Sequence, residues 1–594
     1  MRRCDFPSLR RPSVHRALIH LGHEQCAPLG TRGRRTSYPV AQRNSQKAHK
    51  AEPGPLPALR PPRYYTPRQE NPKARDRTDD PPPDRLSPEV GFIWIDALCI
   101  NQDSIPERNA QVALMRDIYT QASRVVIWLG PGDETSDLAI DVFRRLSSST
   151  KSPPQPASSL TPKEHSALRS FCRDREWWDR VWVWQEATTP NAPREYWCGG
   201  QRIRFEDVMY ANKLVWDAMA DLKGTVPTTM AWNETIDSMG KLGLAREMAA
   251  FGHFRSEIDI IDGMRRLKAT DVRDKVFAFL PLLQEVKGLA DAPVVDYGLR
   301  VEEVFRQAAV YLLEAGRDLR VLLLCHLSPG GGIPNGPSWV PNFSLPRDEQ
   351  SAFLFSEQFH YKADGNQAPQ FSFTQGKDRI RARGLRVDGV EAVHPAWRKA
   401  GDAPKAEAEL KPLFKEWMTG LAKFVFPAGG EGVDEYVGGG TLSHAVDRLL
   451  VHDQDDYDGS RHFAVSGAPD SKGGRSSKAI PDWNLAAVAR GDAEPAEFSA
   501  NDPATFSVWA RNRHAAVFRT KMGYLGSVNA LPGPGDVVVV IFGLRVPLVL
   551  RPVVVAGDSK LWMVVGPCYA AGIMDGEIVR RSPGSVESEE IEIC

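Results

Sequence analysis

The apolar residues of this chain fall into two rhythms between residues 92 and 147, and the switch between them marks out separate elements. Phe92, Ile93, Trp94, Ile95, Ala97 and Leu98 make a short apolar run broken only by Asp96. Such a run predicts a buried strand over 92–98. Ser104-Ile105-Pro106-Glu107 then has the form of a helix capping box, with proline in the first turn, where its missing N–H costs nothing. Val112, Met115, Tyr119 and Ala122 follow at steps of three and four, which is the spacing of one apolar helical face. A second strand, 125–129, stops at Gly130-Pro131-Gly132. Strand, helix and strand in this order predict a right-handed βαβ crossover with parallel strands. Both strands would then end on one sheet edge, at 99–103 and 130–133, where open α/β folds bind ligands.

Further along, the pattern predicts a helix over 133–146 with Leu138, Phe143 and Leu146 toward the core. A Ser/Pro-rich loop follows over 147–162, and a hairpin over 196–205 turns at Gly199-Gly200. Residues 205–324 read as mainly helical, interrupted by Pro227, Pro281 and Pro293 and closed by a helix over 301–313. Two glycine-rich stretches, 427–441 and 459–476, flank a segment whose pattern assigns no fold. The C-terminal part is β-rich, with 536–542 and 546–550 forming a hairpin across Gly543 and 561–565 a third strand. No internal repeat is present, and the Glu-rich tail after Ser582 is expected to be loose. Residues 1–88, rich in Pro and Arg and without apolar period, have the composition of a disordered segment. The expected division is therefore 1–88 disordered, 89–205 an α/β core, 206–345 mainly helical, 346–480 mixed with glycine-rich linkers, 481–580 a β-rich module and 581–594 an acidic tail.

At 594 residues the chain exceeds one ordinary core, so two or three folded units are expected. Its apolar fraction of 42% and charged fraction of 25% are those of a water-soluble globular protein. A formal net charge of +0 excludes whole-chain steering to nucleic acid or to an anionic membrane. Charge is local instead: among the first fifty residues only Asp5 and Glu24 are acidic. That bias has the look of a transit peptide, yet Pro7, Pro12 and Pro28 break any long amphipathic helix. The segment also has almost no interleaved aromatics with which to stack on bases, so a solvated tail without specific nucleic-acid recognition is the better reading. The eight cysteines lie far apart, with no CxxC pair and no Cys/His cluster at ligand spacing. This suits a reducing compartment and predicts no metal site. The most apolar segment, 537–555, carries Arg545, Pro547, Arg551 and Pro552 and cannot form a clean membrane span. The chain reads as soluble and cytoplasmic.

From 94 to 130 the sequence is WIDALCINQDSIPERNAQVALMRDIYTQASRVVIWLG, and from 180 to 187 it is RVWVWQEA. These stretches resemble the fungal heterokaryon-incompatibility (HET) domain. TDVRDKVFAFL at 270–280, VVDYGLRVEEVF at 294–305 and SWVPNFS at 338–344 resemble segments that commonly follow that domain. Residues 509–577, with RTKMGYLG, GDVVVVIFGLRVPLVLRP and CYAAGIMDGE, resemble its usual C-terminal region. One departure stands out. HET domains open with a strand resembling ALSYVWG, and nothing in 1–88 matches it, so the domain reads as N-terminally incomplete. The resemblance implies an effector of programmed cell death in fungal non-self recognition, with a protein partner in an incompatibility system and self-association through the HET domain. Because HET domains are remotely similar to TIR domains, it also implies a TIR-like, flavodoxin-like parallel sheet. Several TIR domains cleave NAD, which makes NAD the implied substrate and leaves no resident cofactor implied.

Under that comparison Glu186, beside four tryptophans between 177 and 184, stands where TIR domains carry a catalytic glutamate. Cleaving a nicotinamide glycosidic bond passes through an oxocarbenium-like state that a carboxylate can stabilise, and burial among aromatics would raise its pKa. The competing reading is a glutamate that pairs with Arg180 or caps a helix. Asp96, Arg180 and Trp182 complete the candidate NAD-binding set, Asp96 toward a ribose hydroxyl and the tryptophans as stacking walls. An Asp at a strand end equally often accepts N–H bonds from the next turn. Asn101 and Gln102 are expected to hold that turn, and Cys99 to be a small buried apolar residue. Arg273-Asp274-Lys275 is expected at a helix start or in an ion pair, and Gly130-Pro131-Gly132 reads as a turn or as a weak phosphate signal. Three functional readings remain: an NAD-hydrolysing effector, a non-enzymatic scaffold that recruits death machinery, and an inactive relic lacking its first strand.

Overall fold

A buried strand edge must find partners for its N–H and C=O groups, and the first sheet shows how this chain finds them. The computed structural model describes residues 17–21, 92–147, 160–188, 192–211, 214, 261, 264–265, 267–281, 292–327, 333, 336–345, 361–397, 407–427, 435–453, 483–499, 502–554, 560–581 and 587–594. The expectations for 1–16 and 22–91, for the region of Pro227 and for the glycine-rich stretch 459–476 lie outside the described residues. Strands β1 (Ala17–Leu21), β2 (Phe92–Trp94), β3 (Arg124–Trp128), β4 (Arg194–Cys198) and β5 (Gln201–Arg204) form one sheet in the order β2-β1-β3-β4-β5. β1 runs antiparallel to both neighbours, with Ile19 opposite Trp94 on one side and Val125 on the other. β3 and β4 are parallel, and β4 and β5 form the predicted hairpin. β1, second in this order, runs against both its neighbours, and β5 runs against β4, so the sheet is mixed where a flavodoxin-like parallel one was expected. β2 and β3 do run the same way, yet they are not neighbours: a piece of the segment expected to be disordered stands between them and satisfies the edges of both.

The expected strand over 92–98 also stops early. Leu98 and Cys99 donate their N–H groups to Ile95 O at 2.9 and 2.8 Å, and Asp96 Oδ1 accepts the Ala97 N–H at 2.7 Å. These local bonds compete with the sheet ladder and wind the one-turn helix α1 (Asp96–Cys99). As a result Leu98 is 79% exposed and Cys99 is exposed rather than buried.

Helix α2 (Ile105–Gln121) starts where the capping signal put it, with Ser104 Oγ accepting the Glu107 N–H at 3.5 Å. Only half of the box forms, because the Glu107 carboxylate turns back to the Asn101 N–H at 3.0 Å. Helix α3 (Glu134–Ser147) follows as predicted. Helix α4 (Pro162–Arg173) opens on a complete capping box between Thr161 and Glu164. Helices α5 (Val183–Thr188), α6 (Asp274–Phe277) and α7 (Val301–Gly316) follow in the N-terminal half. α7 runs three residues beyond the sequence expectation and ends at Arg317 with φ 46.

The second sheet contains β6 (Phe371–Phe373), β7 (Ile380–His394), β8 (Ala516–Thr520), β9 (Leu525–Val528), β10 (Val537–Ile541), β11 (Leu548–Val553), β12 (Leu561–Ala570) and β13 (Glu589–Ile593). Helices α8 (Glu407–Val425), α9 (Leu442–Val451), α10 (Leu485–Arg490), α11 (Pro503–Asn512) and α12 (Glu577–Arg581) are interspersed with these strands in the chain. The predicted hairpin across Gly543 is β10 and β11. Tracing the pairings β7-β10-β11-β12-β9-β8 and back to β7 closes a barrel. At one end β13 joins β12 to β7. Closure brings backbones close together: a Cβ added at Gly384 of β7 would lie 2.5 Å from Val540 O. The tail expected to be loose is therefore a paired strand, held in a barrel whose longest strand, β7, comes from the 346–480 region expected to be mixed. Leu327 N–H to Val565 O at 2.6 Å and Trp339 Nε1 to Asp378 O at 3.1 Å tie the helical part to the barrel. Among the described residues no helix is long and apolar enough to cross a membrane.

Candidate functional site

Tyr119 ends the buried stripe of α2, Glu186 lies on α5, and the 3-10 turn Glu176–Asp179 delivers Trp177 between them. Trp177 Nε1 donates to Glu186 Oε2 at 2.6 Å, and the Tyr119 hydroxyl also bonds to Glu186. Tyr119 and Glu186 are each 2% exposed and Trp177 is 1%. Burial raises the Glu186 pKa; the Arg180 charge and the Trp177 bond oppose that rise, and Asp96 adds to it. Arg180 Nη2 lies 3.9 Å from Asp96 Oδ2, and both side chains are 27% exposed. The fold thus brings together three of the four residues singled out in the sequence: Glu186 inside, with Asp96 and Arg180 above it at the surface. Trp182 goes elsewhere, to the Asp274 carboxyl. Asn101 Oδ1 accepts the Asp103 N–H at 3.2 Å and holds the turn as expected, while Gln102 is exposed.

Trp182 leads to a second polar cluster. Arg273 forms a two-pronged pair with Asp271, at 2.9 Å from Nε and 2.8 Å from Nη2. Its Nη1 donates to Tyr297 O at 2.6 Å and Leu299 O at 2.8 Å. The pair pulls the Asp271 carboxyl below its ordinary pKa despite burial. Arg108 of α2 donates to Asp271 at 2.9 Å and lies 3.5 Å over the Tyr297 ring. Asn109 next to it clamps the following loop, donating to Asp296 at 3.0 Å and accepting the Tyr297 N–H at 2.8 Å. Tyr297 Oη donates to Asp274 Oδ1 at 2.5 Å, and burial pushes the pKa of both groups up. The expected ion pair of Arg273 is present. The roles of Tyr119, Arg108 and Tyr297 were not legible, because each is one member of a contact between segments far apart in the chain.

The Gly130 turn is closed by protein groups. Arg175 Nη1 donates to Leu129 O at 3.3 Å and Pro131 O at 2.8 Å, and Asp133 Oδ1 accepts the Ser136 N–H at 2.7 Å. Gly199, at φ +55, packs so closely that a Cβ there would lie 2.6 Å from Gly132 N. Both carbonyls and the carboxylate face cations or N–H groups of the chain itself, which is the chemistry of a turn rather than of a phosphate cradle. A cavity of about 700 Å³ lies between α7 and the barrel, lined among others by Arg300, Glu303, Arg306, Ser338, Arg379 and Cys594. Glu186, Asp96, Arg180 and Trp182 do not line it.

Residues 85–186 match the family described as Heterokaryon incompatibility protein (HET), and residues 504–584 match the Het-6 beta-barrel domain. The first match covers α1 to α5 up to Glu186, and the second begins in α11 and ends after α12. The chain is similar to Heterokaryon incompatibility protein 6, OR allele, of Neurospora crassa, at 25% identity in a match that covers 82% of this chain and 81% of that protein. No solved structure matches.

Proposed function

Because the chain is a fungal HET-domain protein that also carries a Het-6 barrel, we propose that it acts in non-self recognition as a protein-docking effector of incompatibility and cell death. On this reading it recruits partners through its surfaces and leaves NAD intact. The observation that carries this reading is the state of Glu186. Its carboxyl is 2% exposed, holds two internal hydrogen bonds and has a burial-raised pKa. A group that must meet a ribose needs hydrogen-bond reach to it, whereas this one is spent on Tyr119 and Trp177. The test is expression of the full chain in fungal cells with NAD measured against time. Death with NAD at the vector-control level is the expected result, with Glu186→Gln as lethal as the parent. A fall in NAD ahead of death, lost in Glu186→Gln, would overturn it.

The alternative, NAD hydrolysis, draws on one observation: Asp96 and Arg180 form a partly exposed pair close to a carboxyl whose pKa is raised, an arrangement of polar groups and a perturbed acid that also occurs in active sites. The same NAD measurement distinguishes the two.

A further inference from the structure

β7 begins Ile380-Arg381-Ala382-Arg383-Gly384-Leu385-Arg386, and β13 reads Glu589-Glu590-Ile591-Glu592-Ile593. In their antiparallel register Ile593 faces Ile380, Glu592 faces Arg381, Ile591 faces Ala382 and Glu590 faces Arg383. One side of this pair is sealed, with Ile591 1% and Ile593 0% exposed. The other side is ionic. Glu592 accepts from Arg379 at 2.8 Å and from Arg381 at 2.9 Å, and Arg383 reaches Ser588 Oγ at 2.9 Å; Glu589, on the face of the isoleucines, pairs with Arg386 at the strand's start. Along the other edge β13 meets β12 at Leu561 and Trp562, in parallel; just beyond it Cys594 N–H donates to Trp562 O at 2.9 Å, and the Cys594 carbonyl accepts from the Ser338 N–H at 2.9 Å and from the Ser338 hydroxyl.

Glutamate is a poor strand former, so Glu-Glu-Ile-Glu-Ile has little reason to extend except in a groove that asks for it. The groove supplies an unpaired backbone edge, two apolar seats and a row of arginines, the combination by which sheet edges recognise extended peptides: main-chain bonds for affinity and alternate side chains for specificity. The ion pairs are half-exposed, with Arg379 and Arg381 at 41% and Glu590 at 64%, so each holds the strand only weakly. Charge complementarity selects the occupant more firmly than it retains it.

We propose that the groove between β7 and the start of β12 is a strand-acceptor site for a partner protein, that β13 occupies it in cis, and that the partner enters with an extended segment in which Glu alternates with Ile or Val. This deepens the protein-docking reading and rests on it. The probe is a fluorescent peptide, Glu-Ser-Glu-Glu-Ile-Glu-Ile, matching 587–593, with a scrambled peptide of the same composition as control.

On the purified full chain the peptide binds weakly, because the tethered strand competes at high effective concentration; Ile591→Asp unseats that strand and tightens binding about tenfold or more. Arg379→Glu with Arg381→Glu in that background abolishes binding, and salt of about 1 M weakens it by screening exposed charges. In the unmutated chain the amides of Ile591 and Ile593 exchange with solvent about tenfold or more faster than those of Val538 and Val539 in β10, as a separately opening unit should. The proposal is overturned by equal protection of β13 and β10, by equal binding of the scrambled peptide, or by two chains that exchange β13 while the free peptide stays unbound. Hydrogen exchange needs no variant, so it decides even if Ile591→Asp fails to fold. Binding is scored on purified protein, so its failure is distinct from an NAD result in cells.

Discussion

Glu186 and His452 are both buried, and they make the protein respond to pH in opposite directions. The Glu186 carboxyl has a folded pKa raised above its ordinary 4.5, first by burial. Its proton is therefore held more firmly in the folded state, and the stability this contributes is complete below 4.5 and lost as pH rises through the folded value. Glu186→Gln, neutral throughout, should match the parent in urea denaturation near pH 4.5 and gain on it steadily at higher pH; a gap that stays constant with pH would refute the assignment. His452 is 0% exposed, bonds to Ser527 Oγ at 2.9 Å and stacks on Tyr569 at 5.0 Å. Burial lowers its pKa from 6.5 to about 3, so the folded state excludes its proton. Stability is full above 6.5 and falls toward about 3, at roughly 1.4 kcal/mol per pH unit while only the unfolded chain is charged. His452→Gln should flatten that acid limb of the denaturation profile. Arg273 spreads four donor bonds over Asp271 and two carbonyls. A lysine cannot reproduce a planar fork, so Arg273→Lys should cost about 2–3 kcal/mol in chemical denaturation.

At the scale of elements, β1 is the strand on which the first sheet depends. It is bonded along both edges, so Ile19→Pro should remove a ladder bond and destabilise the N-terminal half by about 3 kcal/mol or more, read from the thermal transition of tryptophan fluorescence. An unchanged transition would show that β2 and β3 do without it. The elements that were legible in the sequence, α2, α3, the β4–β5 and β10–β11 hairpins and α7, each carry a local period or a turn residue that suffices to place them. The four-residue α1 was read as strand because Asp96 diverts the backbone through bonds that no periodicity records. β7 and β13 do alternate, but with Arg and Glu in the outward places, and charged residues resemble loop until the opposite strand supplies the counter-charge. The candidate site was legible as a set of residues and not as a direction: three of its four members converge, while the partner of Trp182 lies 92 residues away at Asp274. Burial, which decides what Glu186 can do, is a property of the assembled helices α2 and α5 and is not written in either.

For the whole molecule, the matched barrel region, 504–584, is smaller than the barrel, since β7 at 380–394 and β13 at 589–593 complete it. A fragment of 504–584 should therefore lack a cooperative unfolding transition, with its strand edges unpaired and prone to aggregate, whereas 361–594 should melt as one unit by circular dichroism. A cooperative 504–584 fragment would show the ring to be dispensable. Helix α2 bears on the other half. Arg108 grips the Asp271–Tyr297 cluster and Tyr119 grips Glu186, and their separation of eleven residues is just over three full turns, or about 16 Å along one stripe. One face of a single helix thus fastens both the Asp271–Tyr297 cluster and the sealed carboxyl, so the two polar clusters share one rigid support.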